Sequence, residues 1–235
     1  MKKLFIAIRK NDLTTVKNLL EKKPELISCV AKQPPMKDDG QSPLQVAIKT
    51  GRKNNFEIAN YLLDMGADVN FMEKESCNEW KMPVIHAAIM ASVLSSRFTT
   101  RSWNDSYEIQ NPEKLADSSF KLLNRMFDLG ANVHAYDSFG NSCLHRAILD
   151  ARQILPNYNH VENKLEDDRL LNDEVQGDLT RIFDLLLLQG ADIHEASSNP
   201  DYTIAEFYIK EPVAQFFVSR DLNKTKRSWF GFLKK

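Results

Sequence analysis

The sequence predicts an all-α protein built as a solenoid of repeated helix-turn-helix units. An apolar run ending in a glycine and a small residue occurs three times, as LLDMGADVN, MFDLGANVH and LLLLQGADIH. A second phrase, with an apolar residue and usually a small residue three positions later, occurs as SPLQVAI, PVIHAAI, SCLHRAI and, less regularly, YTIAEFYI. Recurring segments in a fixed order are typical of repeat architectures, in which each unit packs on its neighbours.

The two phrases resemble the ankyrin repeat, which has a T-P-L-H-x-A opening and a later G-A-D turn in a unit of about 33 residues. The resemblance covers most of the chain, although no unit carries the full opening. His86 and His145 keep the histidine of the opening, whereas Gln45 and Ala205 replace it. The resemblance implies an ankyrin-repeat solenoid of four to five repeats. It also implies that each histidine hydrogen-bonds the backbone of a turn between neighbouring units.

The first 30 residues predict a terminal helix pair. Leu4 begins the first helix, Asn11 and Asp12 supply a turn and an N-cap, and Val16 marks the second helix. The pair is rich in lysine, as the outer face of a terminal repeat should be. We expect the rest of this single domain to comprise full repeats at residues 31–70, 71–134 and 135–194, a carboxyl-terminal cap at 195–222 and a basic aromatic tail at 223–235.

Each repeated glycine is expected to end an outer helix. The leucines before Gly190 form the apolar stripe of such a helix. Gly66, Gly130 and Gly190 follow these stripes, where the backbone needs a left-handed residue. In two of the three turns an aspartate two residues later can accept hydrogen bonds from the turn backbone.

Two repeats are longer than the others. The interval from the histidine position to the helix-ending glycine is 21 residues in the first full repeat, but 44 and 45 in the next two. We expect enlarged helix pairs joined by loops near residues 99–111 and 156–160. Asn111 and Pro112 predict the start of one outer helix, and the apolar spacing from Val161 predicts one long helix in the other repeat.

Composition excludes several classes of protein. The net charge of −1 gives the chain as a whole no electrostatic basis for binding nucleic acid or an anionic membrane. No segment approaches the ~18 apolar residues of a membrane span, and the apolar run near the amino terminus is too short for a signal peptide. Cys29, Cys77 and Cys143 lie far apart, which fits reduced thiols. We therefore expect a cytoplasmic protein.

The sequence offers no motif for catalysis. P-loop, GxGxxG, HExxH and GxSxG patterns are missing, and the acidic residues of 162–174 lack EF-hand order. The alternatives are a metal bridge between histidines of two repeats and a nucleophilic Cys143 beside His145. Neither has a recurring second ligand or a suitable spacing. We therefore expect no enzyme activity, no cofactor, no metal site and no small-molecule substrate.

Ankyrin proteins resemble one another in binding proteins on a concave face, formed by the turns called fingers and the exposed side of the inner helices. Trp80 and Phe139 fall on fingers, which are normally polar, and large aromatic residues dominate binding hot spots. Alternatively, either ring folds back onto the neighbouring finger. The acidic cluster is either a solvated helix face or a helix that steers a basic partner. The expected partner-binding residues are Trp80, Phe139, Tyr136, Met72, Met90, Lys49, Asp39, Asn141, Glu166, Asp167 and Asp168.

The resemblance therefore implies a non-catalytic protein that binds a protein partner of unknown identity. Small ankyrin proteins of this composition look like those of bacteria and their phages, which implies an immunity or inhibitor role against a toxin or defence enzyme. The alternative is an adaptor tethered to a membrane or to nucleic acid through the tail from Arg220, which has six basic residues beside aromatic ones. That tail could instead cover the last repeat.

Overall fold

The computed structural model describes residues 1–166, 168–197 and 199–218. Asp167, which was expected to bind the partner, and the basic aromatic tail lie outside the described residues. The described chain is rich in helix, as predicted. Its α-helices are α1 (Lys2–Arg9), α2 (Leu13–Lys22), α3 (Pro43–Thr50), α4 (Glu57–Asp64), α5 (Val84–Leu94), α6 (Glu113–Asp128), α7 (Cys143–Ala151), α8 (Asp173–Leu188) and α9 (Ile204–Phe207).

The helices form two layers along the solenoid. Helices α1, α3, α5 and α7 contact one another in that order and form the inner layer, while α2, α4, α6 and α8 form the outer layer in the same way. Each inner helix also contacts the outer helix that follows it. The apolar faces of both layers join into one continuous core. Short 3-10 segments, Pro24–Ser28, Met36–Asp38, Gly51–Lys53 and Pro212–Phe216, connect or follow the helices.

The repeated glycines end outer helices, as predicted. Gly66, Gly130 and Gly190 have φ angles of +80°, +88° and +101°, which lie in the left-handed region. After each glycine, the next N–H donates to the carbonyl five residues earlier over 3.0 Å. The side chains of Asp68 and Asp192 then accept from the N–H two residues further on, both at 2.8 Å. The G-A-D phrase therefore builds the same helix end and turn each time.

The two long segments between helices contain β-hairpins, which the sequence did not predict. In the first hairpin, β1 (Thr99–Arg101) pairs antiparallel with β2 (Tyr107–Ile109). In the second hairpin, β3 (Tyr158–Asn159) pairs with β4 (Lys164–Leu165). The expected loops at these places are thus ordered two-stranded ribbons.

The long helix expected from Val161 is wrong, because α8 begins at Asp173. The side chain of Asn159 accepts hydrogen bonds from the N–H groups of Val161 and Glu162, at 3.0 and 3.1 Å. Asn163 has a left-handed φ of +52°. These contacts turn the chain back into β4, so the apolar residues before α8 do not share one helix face.

Asn111 is not the N-cap that the sequence predicted. Helix α6 begins one residue later than expected, at Glu113, and Pro112 is extended. The Asn111 side chain instead donates to the carbonyls of Leu94 and Ser96, at 3.0 and 2.9 Å. Its oxygen accepts from Arg52 over 3.2 Å. Asn111 therefore ties the end of α5 to the start of α6.

The last repeat opening, YTIAEFYI, starts one residue later than the sequence alignment predicted. Thr203 is the N-cap of α9 and forms a capping box with Glu206. In the other openings the histidine or glutamine lies three residues after the N-cap, so Glu206, not Ala205, occupies that position here. Helix α9 ends at Phe207, and after a turn the 3-10 segment Pro212–Phe216 packs on α8.

The first hairpin is tied at its base to the chain around α8. The carboxylate of Asp178 accepts from the backbone N–H and both Nε and Nη2 of Arg97, at 2.9, 3.0 and 3.0 Å. Thr99 and Leu170 exchange a second pair of hydrogen bonds across the same junction. Among the described helices, none is both long and apolar enough to cross a membrane.

Candidate partner-binding surface

The binding face expected from the sequence comprises the fingers and the exposed side of the inner helices α3, α5 and α7. The finger residues Phe139 and Tyr136 are 66% and 51% exposed. Met90 on α5 is half-buried, and Lys49 on α3 is exposed. Phe139 and Tyr136 are thus well exposed, whereas Met90 packs partly on the core and the side chain of Lys49 is 28% exposed.

Asp137 fixes the finger that carries Phe139. Its carboxylate accepts from the N–H groups of Phe139 and Asn141, both at 2.9 Å, and from the side-chain amide of Asn141. Burial raises the pKa of Asp137, but the hydrogen bonds from Asn141, Trp80 and Phe139 outweigh it and hold the pKa below its ordinary value. Asn141 therefore has a structural partner, whereas the ring of Phe139 projects from a fixed backbone.

Trp80 is folded back onto the neighbouring finger, which is the alternative that the sequence left open for this residue. Its Nε1–H donates to Asp137 over 2.8 Å, and the half-buried ring packs against the core. The guanidinium of Arg146 lies over the ring, 5.4 Å from its centroid. The indole therefore joins two fingers and α7.

We expect Trp80→Ala to lower the free energy of unfolding by about 2 kcal/mol, because the variant loses ring packing and leaves Asp137 without a donor. Trp80→Phe should lower the free energy of unfolding by less, since it keeps an aromatic ring in the same place and loses only the Nε1–H donor and part of the packing. Urea unfolding of the two variants and the parent protein measures this difference. Equal stability of all three would contradict the packed position of the indole.

Asp39 is a second structural residue among those expected to bind the partner. It is 8% exposed, and its carboxylate accepts from the N–H groups of Gln33 and Cys77, at 3.1 and 2.9 Å. Its carbonyl accepts from the hydroxyl of Ser76 over 2.8 Å. Asp39 therefore joins the first finger to the second one and is not a free surface carboxylate.

Met72 and Lys49 are partly used by the fold. Met72 is half-buried and forms an isolated β-bridge with Pro83. The Lys49 ammonium donates to the side chain of Gln41 over 2.9 Å and lies 3.7 Å from the carboxylate of Asp38. Burial lowers the pKa of Lys49 despite the charge of Asp38. Both residues border the surface but are held by neighbouring groups.

The acidic cluster does not form a helix face. Glu166 is exposed and follows β4, before α8 begins. Asp168 accepts from the backbone and side-chain N–H groups of Asn157, at 3.1 and 2.9 Å, and pairs with Arg169. Asp178 is buried against Arg97. The prediction of an acidic helix is therefore wrong, because α8 begins only at Asp173 and the acidic residues before it lie in the second hairpin and the segment that follows it.

The two motif histidines are structural, but they use different partners. His86 is fully buried, and its Nε2 lies 3.2 Å from the carbonyl of Ala135 in the next finger, as the resemblance implied. Burial lowers the pKa of His86 to about 4, so the ring is neutral. His145 Nε2 lies 2.9 Å from the hydroxyl of Tyr208 instead of a finger carbonyl. Tyr208 directly follows α9, so this contact ties α7 to the end of the shortened last helix.

The proposed alternatives in metal binding and nucleophilic catalysis gain no support from this geometry. Within residues 1–166, 168–197 and 199–218, no group of three or more His, Cys, Asp or Glu side chains is placed to hold a metal ion. Cys143 is buried, and burial raises the pKa of its thiol to about 12. That thiol remains protonated at neutral pH.

A family model described as ankyrin repeats (3 copies) matches residues 2–73. Residues 2–73 therefore contain ankyrin repeats. The matched region spans α1 to α4, and the same two-layer stacking continues through α5 to α8. Ankyrin repeats are generally protein-protein interaction modules, and they are typically non-catalytic. A search of curated proteins found no match to the chain.

Proposed function

We propose that this ankyrin protein binds one protein partner on its concave face and has no catalytic activity of its own. The exposed ring of Phe139 carries the proposal, because it projects from a finger whose backbone Asp137 fixes. An aromatic side chain on a rigid support loses little conformational entropy on binding, which favours a hot spot. Tyr136, Met90 and Lys49 extend this surface over three repeats.

We further propose that the chain is a single solenoid domain of four full helix pairs and a shortened fifth. In this assignment residues 31–70, 71–134 and 135–194 are full repeats, and the second and third of these have enlarged helix pairs. The hairpins at 99–109 and 158–165 support the enlargement, since each lies between the inner and outer helix of one pair. They widen the solenoid without interrupting the stack of inner helices.

We also propose that binding is inhibitory and occurs in the cytoplasm, as for an immunity protein against a toxin or defence enzyme. A binder that covers an essential surface can inhibit without any chemistry of its own. The free thiols of Cys29, Cys77 and Cys143 agree with a reducing compartment. If the partner is an enzyme, stoichiometric addition of this protein should abolish its activity, and unchanged activity would contradict the inhibitory role.

Phe139→Ala should weaken binding of a partner isolated with the tagged protein by about 2 kcal/mol or more, which is about 30-fold in Kd. The unfolding free energy should change little, because the ring is 66% exposed. Trp103→Ala is the matched control, since this 97% exposed ring lies at the tip of the first hairpin, away from the fingers. Calorimetry with the partner measures both variants. Equal affinity of parent and Phe139→Ala would contradict the concave-face assignment.

A further inference from the structure

A cavity of about 400 Å³ lies at the carboxyl-terminal end of the concave face. Its apolar part comes from Leu149 on α7, Phe207 at the end of α9, and Tyr208. The second hairpin contributes His160 to the cavity lining. The cavity therefore combines residues of α7 and α9 with a residue of the second hairpin.

Arg152 is held in one orientation within this cavity. Its Nε–H donates to the carboxylate of Glu211 over 2.5 Å, and Glu211 is 9% exposed. The guanidinium also lies over the ring of Tyr208, 5.5 Å from the centroid. Tyr208 is in turn fixed by its hydrogen bond with His145. A carboxylate and an aromatic ring thus fix the plane of the guanidinium before any partner binds.

The terminal nitrogens of Arg152 remain unused by the protein. Throughout the part of the chain that the structure describes, neither Nη1 nor Nη2 donates a hydrogen bond, and the side chain is 44% exposed. Guanidinium groups bind carboxylates through two parallel N–H···O bonds, and a preorganised group loses little entropy on forming them. The ring of His160 also borders the cavity, and its Nε2 lies 3.6 Å from the carboxylate of Glu211.

We propose that this cavity is a carboxylate-binding subsite, which receives an acidic side chain of the protein partner. The two free N–H donors of Arg152 bind the carboxylate, and Leu149, Phe207 and Tyr208 contact the apolar stem that carries it. Glu211 already compensates the charge of Arg152, so the subsite contributes geometric selectivity more than long-range attraction. This inference rests on the proposed function and specifies the chemistry of the partner.

Phenylacetate and its neutral analogue phenylacetamide test the subsite without the partner. We expect phenylacetate to give saturable shifts in the NMR signals of the His160 and His145 rings. Phenylacetamide should bind about tenfold more weakly or worse, because it cannot form the charge-assisted pair. Equal binding of the two probes overturns the proposal. Tighter binding of inorganic phosphate than of phenylacetate also overturns it, since the site would then prefer a different anion.

Arg152→Gln should abolish the phenylacetate shifts, and Arg152→Lys should weaken binding about tenfold because it keeps the charge but loses the two-pronged geometry. Arg101→Gln is the matched control, since Arg101 also pairs with a carboxylate but lies on the first hairpin. Thermal unfolding and the unchanged signal of the buried His86 verify that each variant is folded. Retained binding by folded Arg152→Gln overturns the assignment. Failure here, with loss of partner binding in Phe139→Ala, would reject the subsite and leave the concave-face function supported.

Discussion

Phe183→Ala is expected to lower the free energy of unfolding by about 3–5 kcal/mol, the largest effect of any substitution considered for this protein. Phe183 is fully buried on α8, and its ring stacks on Phe216 and Phe217 with centroid distances of 5.7 and 5.9 Å. Truncation removes the ring surface from the core and leaves a cavity between α8 and the terminal 3-10 segment. Urea unfolding followed by circular dichroism measures the change.

Leu188→Ala is the matched control for Phe183→Ala. Leu188 belongs to the same helix but is 77% exposed, so its truncation should change the unfolding free energy by less than about 0.5 kcal/mol. Equal effects of the two substitutions would contradict the packing of residues 212–217 against α8.

Asp178→Ala should lower the free energy of unfolding by about 3 kcal/mol. Asp178 is 1% exposed and accepts three hydrogen bonds from Arg97, and Arg181 lies 3.0 Å away. Removal of the carboxylate leaves the backbone N–H and the guanidinium of Arg97 without this acceptor, whereas Arg181 keeps its hydrogen bond with Asp117. The partial exposure of Arg97 keeps the expected cost at the lower end of the range for broken buried pairs.

Asp173→Ala provides the comparison for Asp178→Ala. Asp173 is exposed in the first turn of α8, where a carboxylate contributes about 0.3–1 kcal/mol through the helix dipole. Thermal and urea unfolding should therefore show a clearly larger loss of stability for Asp178→Ala than for Asp173→Ala. A loss for Asp178→Ala no greater than for Asp173→Ala would show that the tie between Arg97 and α8 contributes little.

The repeated parts of the fold could be predicted from the sequence because their signals are local. Gly66, Gly130 and Gly190 each end an apolar helix, and the backbone at all three has the left-handed conformation that favours glycine. His86 also contacts the next finger, as the family resemblance implied. These features depend on a few adjacent residues, so a repeated phrase is sufficient to indicate them.

The insertions could not be predicted, because their structure depends on contacts between distant residues. The apolar spacing from Val161 favoured a helix, but Asn159 caps a turn within a two-stranded hairpin. Asp178 is paired with Arg97, which lies 81 positions away in the chain, and no local pattern indicates this contact. Periodicity reports which residues are apolar and does not report which distant groups will meet them.

The sequence could indicate which residues lie on fingers, but it could not indicate which of their side chains stay exposed. The sequence predicted Phe139 and Trp80 equally as partner-binding residues, since both are aromatic residues on fingers. Asp137 separates them in the structure, because it fixes the backbone of Phe139 but accepts the indole N–H of Trp80. Arg152 was missed altogether. Its position depends on contacts with Glu211 and Tyr208, which follow α9 and lie far from Arg152 in the sequence.

The junction between Arg97 and α8 also determines how the solenoid can open. In a simple repeat array, terminal units fray independently, and amide protons there exchange with solvent by local opening. The backbone N–H of Arg97 donates to a side chain of a different repeat, so it is released only when the contact with Asp178 separates. Its hydrogen-exchange rate therefore reports separation of the base of the first hairpin from α8.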